Sequence, residues 1–225
     1  MISILIPTRG SPDGFAIFID SLKHFCSSLK KVEVIAKVDD DTNDYKYVDI
    51  ALKKSGFKYS IFSSPRGRGY LDIPKFYSDL VKVASGSILW QLGDDLTIVR
   101  GDWVQQLMST RNVVSGNVYL AYCYYARSLE KLERGWGFRG RFNAIPIVSR
   151  EFYDKLKILE TGEVQLDEFI GGIAKEMPRK RVFLLDCVVA QMVSQKSRSR
   201  GKLEGYVKTR LSKDTYRTLL KKMEI

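Results

Sequence analysis

Over the first hundred residues the hydrophobic pattern switches back and forth between two periods. Ile2–Ile6 (ISILI) is a continuous apolar run, the mark of a strand covered on both faces. From Asp13 onward, Phe15, Phe18, Ile19, Leu22, Phe25 and Leu29 recur along one face of a helix. Val32–Val38 (VEVIAKV) reads as a second strand, and Asp44–Lys54 as a short helix closed by Gly56. A strand at Tyr59–Phe62, a helix over Asp72–Ala84, a strand at Ser87–Leu92 (SILWQL) and a helix over Asp102–Arg111 continue the alternation. This order predicts an α/β fold with a Rossmann-like, mostly parallel central sheet and helices on both faces.

The second half predicts a smaller, mixed arrangement. Val118–Ala126 (VYLAYCYYA) is an aromatic-rich strand and Ala144–Val148 a short one. Ser149 is placed to N-cap a helix running through Leu159. Leu166–Glu176 reads as a helix, Val182–Met192 as a strand, and Ser212–Met223 as a last amphipathic helix. The expected organisation is one domain over residues 1–193, with halves at 1–110 and 111–193, followed by a basic loop and helix over 194–225.

A chain of 225 residues with 44% apolar and 28% charged residues has the means to bury a sizeable core, which excludes wholesale disorder. Its net charge is +11, and the excess is concentrated at one end. Residues 175–225 hold 14 basic and 5 acidic side chains, against 23 and 21 in the remainder. That segment suits an anionic surface: nucleic acid, a membrane face or a phosphorylated substrate. Three cysteines without CxxC spacing exclude a disulfide framework and a structural zinc site, and suit a reducing compartment. Ile2–Ile6 is too short for a secretory leader, Pro7 follows at once, and no apolar run approaches a membrane span. A cytoplasmic protein, at most peripheral to a membrane, is expected.

Ligands of open α/β sheets gather where the parallel strands end. Three of those ends carry chemistry: Pro7-Thr8-Arg9, Asp39-Asp40-Asp41 and Gly93-Asp94-Asp95. Adjacent carboxylates repel, so two acidic turns on one edge call for solvent or a cation. Carboxylates with water and phosphate oxygens are the donor set that Mg²⁺ and Mn²⁺ favour. Ser64-Pro65-Arg66-Gly67-Arg68-Gly69-Tyr70 follows the third strand, with glycines for close approach and arginines for phosphate oxygens. It is not a Walker A loop, and no GxGxxG follows the first strand. The one histidine, His24, sits within the first helix, so His-based triads are excluded.

Taken in order, ISILIPTR, VIAKVDDDTND, RGRGY and SGSILWQLGDDL resemble the family 2 glycosyltransferases of the GT-A fold, chiefly over residues 1–110. The resemblance implies transfer of a sugar from a nucleotide-diphospho-sugar donor to an acceptor hydroxyl, metal-assisted and inverting. It implies that Pro7, Thr8 and Arg9 line the nucleotide site, that Asp39 or Asp40 contacts base or ribose, and that Arg66 or Arg68 contacts base or phosphates. Asp94 and Asp95 match the later acids of the family's metal motif, which would hold Mn²⁺ or Mg²⁺ on the diphosphate. The motif's usual first acid falls at Leu92, and the late metal-binding His is missing from the stretch Asp186–Gln191. Glu168 aligns with the family's catalytic base, Asp167 being the near alternative. Trp136 and Arg139, in the GWGFRGR loop, would contact the acceptor, whether glycan, lipid-linked or nucleic acid.

Two other readings share these residues. A nucleotidyltransferase also uses paired acids, a metal and a Gly/Arg loop, but releases pyrophosphate. A nucleic-acid-binding protein would use Lys196, Arg198, Arg200 and Lys202 of the basic segment, and its binding would fall steeply with salt.

Overall fold

A computed structural model of the chain describes residues 1–9, 11–67, 72–113, 119–126, 146–156, 166–192 and 212–223. The N-terminal half runs β1 (Ile2–Pro7), α1 (Pro12–His24), β2 (Val32–Asp39), α2 (Asp44–Ser55), β3 (Lys58–Ser64), α3 (Ile73–Val83) and β4 (Ile88–Gln91). Next come β5 (Leu96–Arg100), α4 (Trp103–Val113), β6 (Leu120–Ala126), β7 (Ile147–Ser149) and α5 (Arg150–Lys155). The chain then passes through α6 (Leu166–Glu176), β8 (Val182–Gln191) and α7 (Lys213–Lys222).

Among the described residues eight strands form one sheet in the order β3-β2-β1-β4-β7-β6-β8-β5. β1 pairs in parallel with β2 and β4, β2 with β3, and β6 with β8. Only β5 and β7 run against the rest. The sheet is therefore mostly parallel, as the alternating pattern predicts.

The period of two along each strand divides the interior into two layers. Ile2, Ile4 and Ile6 of β1 join Val32, Val34 and Ala36 of β2 and Trp90 of β4 on one face. There they meet Phe15, Phe18 and Leu22 of α1, Val48 and Leu52 of α2, and Trp103 of α4. Trp103 Nε1 also donates to the carbonyl of Leu22 at 3.0 Å, tying α4 to α1. The intervening residues Leu5, Ile35 and Leu89 face the other way, against Tyr77 and Leu80 of α3, Phe152 of α5, Phe169 and Ile173 of α6, and Tyr216 and Leu220 of α7. Ser149 caps α5 as expected, its Oγ accepting from the Phe152 N–H at 3.2 Å.

Two departures from the sequence reading have local causes. The first helix ends at His24, and Phe25 and Leu29 pack against the same core from outside it. Leu96–Arg100, to which the sequence pattern assigns no element, is a strand at the far edge of the sheet, where Leu96 pairs with Gln191 and Ile98 with Val189. Its partner β8 is distant in sequence, so nothing local announces the pairing. No helix among the described residues is long and apolar enough to cross a membrane.

Candidate active site

The parallel order β2-β1-β4 brings the ends of three strands side by side, and with them the three loaded turns. Thr8 Oγ1 donates to Asp94 Oδ2 at 2.6 Å, and the backbone N–H of Arg9 reaches the same oxygen at 3.4 Å. Arg9 Nε lies 3.3 Å from Asp39 Oδ2, and the Lys37 ammonium grips Asp39 Oδ1. Thr8 N–H donates to the Lys37 carbonyl at 2.9 Å, extending the β1–β2 ladder to this point. Asp40 is exposed, its N–H held by the Ser64 carbonyl at 3.1 Å. Arg66 Nη1 stands 3.6 Å from Asp41 Oδ2, both side chains well exposed. Pro7, Thr8, Arg9, Asp39, Asp40, Arg66, Asp94 and Asp95 are thus gathered on one edge of the sheet.

Asp94 is the electrostatically loaded member. Burial pushes its carboxyl up to about 6, the neighbouring Asp95 adds to the rise, and the Thr8 and Arg9 hydrogen bonds pull only partly back. A group in this condition gains from a cation beside it. Leu92, at the position of the missing first acid, is 1% exposed and packs in the core, so Asp94 and Asp95 are the acids that this turn can offer. Among the described residues no three metal-ligating side chains converge. Two adjacent carboxylates fit a hard divalent cation that completes its shell with diphosphate oxygens and water.

Asp186 and Gln191, the polar residues that bound the stretch without a late His, part company. Met192 N–H donates to the Asp95 carbonyl at 2.8 Å, which sets the end of β8 and Gln191 beside the acidic turn. Asp186 lies far back along β8, exposed and paired to Arg100 at 2.8 Å, and has no place at this edge. His24 ends α1 with its ring edge-on to Phe25 at 4.7 Å, a packing role.

The first turn of α6 contains Asp167 and Glu168. Five residues join α6 to β8, which pairs in parallel with β6. Arg68, Trp136 and Arg139 lie outside the described residues, as does the basic stretch with Lys196, Arg198, Arg200 and Lys202. Of residues 194–225 the described part is α7 with its caps, where Tyr216, Leu220 and Met223 are buried while Lys213, Arg217, Lys221 and Lys222 are exposed. Arg217 pairs with Glu176 at the C-terminal end of α6 at 3.0 Å, away from its first turn.

Sequence reasoning missed Lys37, a fully buried cation in the middle of this edge. The available signal was periodic: Glu33, Lys37 and Asp39 share one face of an otherwise apolar strand.

The architecture is similar to that of several solved proteins. S. aureus TarS 1–349 in complex with UDP superposes with a TM-score of 0.62 at 13% identity, over 86% of this chain and 60% of that one. GalNAc-T7 with UDP, GalNAc and Mn²⁺ gives 0.60 at 12% identity, over 100% of this chain and 48% of that one. The chain has the GT-A fold. The GT-A mannosyltransferase PcManGT from Pyrobaculum calidifontis, in complex with GDP-Man and Mn²⁺, gives 0.58 at 13% identity, over 87% of this chain and 58% of that one. The chain thus spans about half to three-fifths of the length of these GT-A proteins. No family model matches the sequence, and no curated protein matches it.

Proposed function

We propose that the chain is a metal-assisted glycosyltransferase of the family 2 kind, moving a sugar from a nucleotide-diphospho-sugar to an acceptor hydroxyl with inversion. The observation that carries the reading is the union of Thr8, Arg9 and Asp94 on the strand-end edge of a GT-A sheet. The structural neighbours were solved with UDP or with GDP-Man, which names the two nucleotide series to test.

Pro7, Thr8 and Asp39 or Asp40 line the nucleoside. Arg9 binds the phosphates and Arg66 or Arg68 the base or phosphates, converting an encounter into an oriented complex. Asp94 and Asp95 are the residues that would hold Mn²⁺ or Mg²⁺. Bound there, the ion supplies charge neutralisation to the departing diphosphate. Glu168, with Asp167 beside it, takes the proton of the acceptor hydroxyl as the oxygen bonds to the anomeric carbon. The bond from that carbon to the β-phosphate oxygen breaks, and the nucleoside diphosphate leaves. Trp136 and Arg139 contact the acceptor. The exposed row Lys213, Arg217, Lys221 and Lys222 favours an anionic acceptor or surface, whether nucleic acid or a lipid-linked glycan.

The test is a titration of UDP-sugars and GDP-sugars with Mn²⁺, Mg²⁺ or EDTA, read by thermal shift and calorimetry. One nucleotide series should stabilise the protein by about 2.7 kcal/mol at a hundredfold excess over Kd. The stabilisation should need metal and should vanish in Asp94→Asn. A protein that binds neither series overturns the reading.

A further inference from the structure

We infer that Lys37 is a positioning residue that aims Arg9 at the donor's diphosphate, an inference that rests on the transferase reading and extends it. Lys37 is 2% exposed, an unusual state for a lysine. It survives there because two partners enclose its ammonium. The Asp39 carboxylate lies on one side, and the Phe76 ring lies on another with its centroid 4.1 Å away.

The pair does more than satisfy itself. Asp39 is 5% exposed, and its second oxygen holds Arg9 Nε at 3.3 Å. Arg9 keeps 40% of its side chain open to solvent while its backbone N–H reaches Asp94. One carboxylate is therefore shared by two cations, and the set of three carries a net positive charge. Lys37 is enclosed and cannot reach a ligand. Arg9 is the member that can: Asp39 holds its guanidinium, and its own backbone N–H reaches Asp94 of the acidic turn. A guanidinium fixed in this way binds a phosphate without first losing rotamer freedom.

The loop after β3 closes the stack. A Cβ on Gly67 would overlap Phe76 Cζ and crowd Asp72 Oδ2, so a side chain there disturbs the packing around the ring that covers the Lys37 ammonium. Gly67, Phe76, Lys37, Asp39 and Arg9 form one line of contacts running from the covering loop to the donor edge. A lysine retained only for stability would have no stake in the diphosphate.

The experiment compares nucleoside mono- and diphosphates of the bound base in Mn²⁺, using wild type, Lys37→Met, Arg9→Ala and the double variant. Lys37→Met should still melt cooperatively. It should weaken diphosphate binding about tenfold, the worth of one charge-assisted hydrogen bond, and change monophosphate binding less than about twofold. In the Arg9→Ala background it should add nothing, because its effect passes through Arg9. Gly67→Ala removes no charge and should give the same selective loss to a smaller degree, which also covers a Lys37→Met protein that does not fold. Equal loss of both nucleotides, no loss, or full additivity with Arg9→Ala overturns the inference. A wild-type protein that binds no nucleotide sinks the transferase reading and this one with it. Nucleotide binding that is identical in wild type and the Lys37 and Gly67 variants sinks this one alone.

Discussion

Thr8 Oγ1 donates to Asp94 Oδ2 across 2.6 Å, joining the end of β1 to the turn after β4. The two residues are 86 apart in sequence and belong to different loaded turns. This bond makes the turns one site, and it restrains a carboxylate that burial otherwise disfavours in its charged form.

Asp94 should make the protein less stable as pH rises. Its folded carboxyl titrates at about 6, above the ordinary value of 3.8. The native state thus binds the extra proton between those values, and stability falls with pH through that window. The full penalty, about 3 kcal/mol, is present above pH 6 and absent below pH 4. Melting curves of Asp94→Asn and wild type without metal should coincide near pH 4 and separate by pH 7, the variant being the more stable. A constant offset across the range would refute the assignment. The same variant should lose metal-dependent nucleotide binding.

Thr8→Val removes the donor and leaves the shape. Donor affinity in Mn²⁺ should drop about tenfold, since a hydrogen bond to a charged group is worth about 1.5–3 kcal/mol, and Thr8→Ser should restore most of it. Calorimetry on the three proteins decides the matter. Equal affinities would show that the bond has no part in holding the site.

Glu168→Gln should lower kcat by about 10²–10⁴ and leave nucleotide affinity unchanged, as loss of a general base does. Asp167→Asn should cost far less. A reversal of that order would transfer the role to Asp167, and equal nucleotide release from all three proteins would remove both.

Glu33 is a control at the opposite edge of the sheet. Its carboxylate accepts from Ser3 Oγ at 2.6 Å, Ser85 N–H at 2.6 Å and Ser85 Oγ at 2.7 Å. Burial pushes this carboxyl up, but the Ser3, Ser85 and Lys58 contacts outweigh it and hold the group below its ordinary range. It therefore contributes stability that is present at neutral pH and lost as pH falls through its folded value. Glu33→Gln should destabilise by about 1–3 kcal/mol at pH 7. The gap should narrow in acid, and nucleotide affinity should not change. A change in that affinity would mean that the two edges are coupled.

Much of the architecture is legible in local pattern. Three of the four parallel strands of the N-terminal half, β1, β2 and β4, appear as mainly apolar runs, because a strand covered on both faces has no solvent side to mark with polar residues. The helix over Leu166–Glu176 and the Ser149 cap follow from period and side-chain chemistry alone. Leu96–Arg100 was not legible, because an edge strand of five residues is defined by its partner, and the partner is β8. Asp186 and Gln191 look equivalent in sequence, five residues apart. Only pairing with β5 shows that Gln191 ends beside Asp95 and that Asp186 points its charge at Arg100.

The order of elements and the chemical load of each strand end are local properties of the chain. Both are set by residues near one another along the chain, through hydrophobic period and side-chain type. The tertiary structure decided which loads meet. Strand order is a long-range choice made by burying two faces at once, and it put β1 between β2 and β4. That choice gave Asp94 its hydrogen bonds to Thr8 and Arg9, turned Lys37 inward against Asp39 and Phe76, and made scattered acids and bases one electrostatic unit.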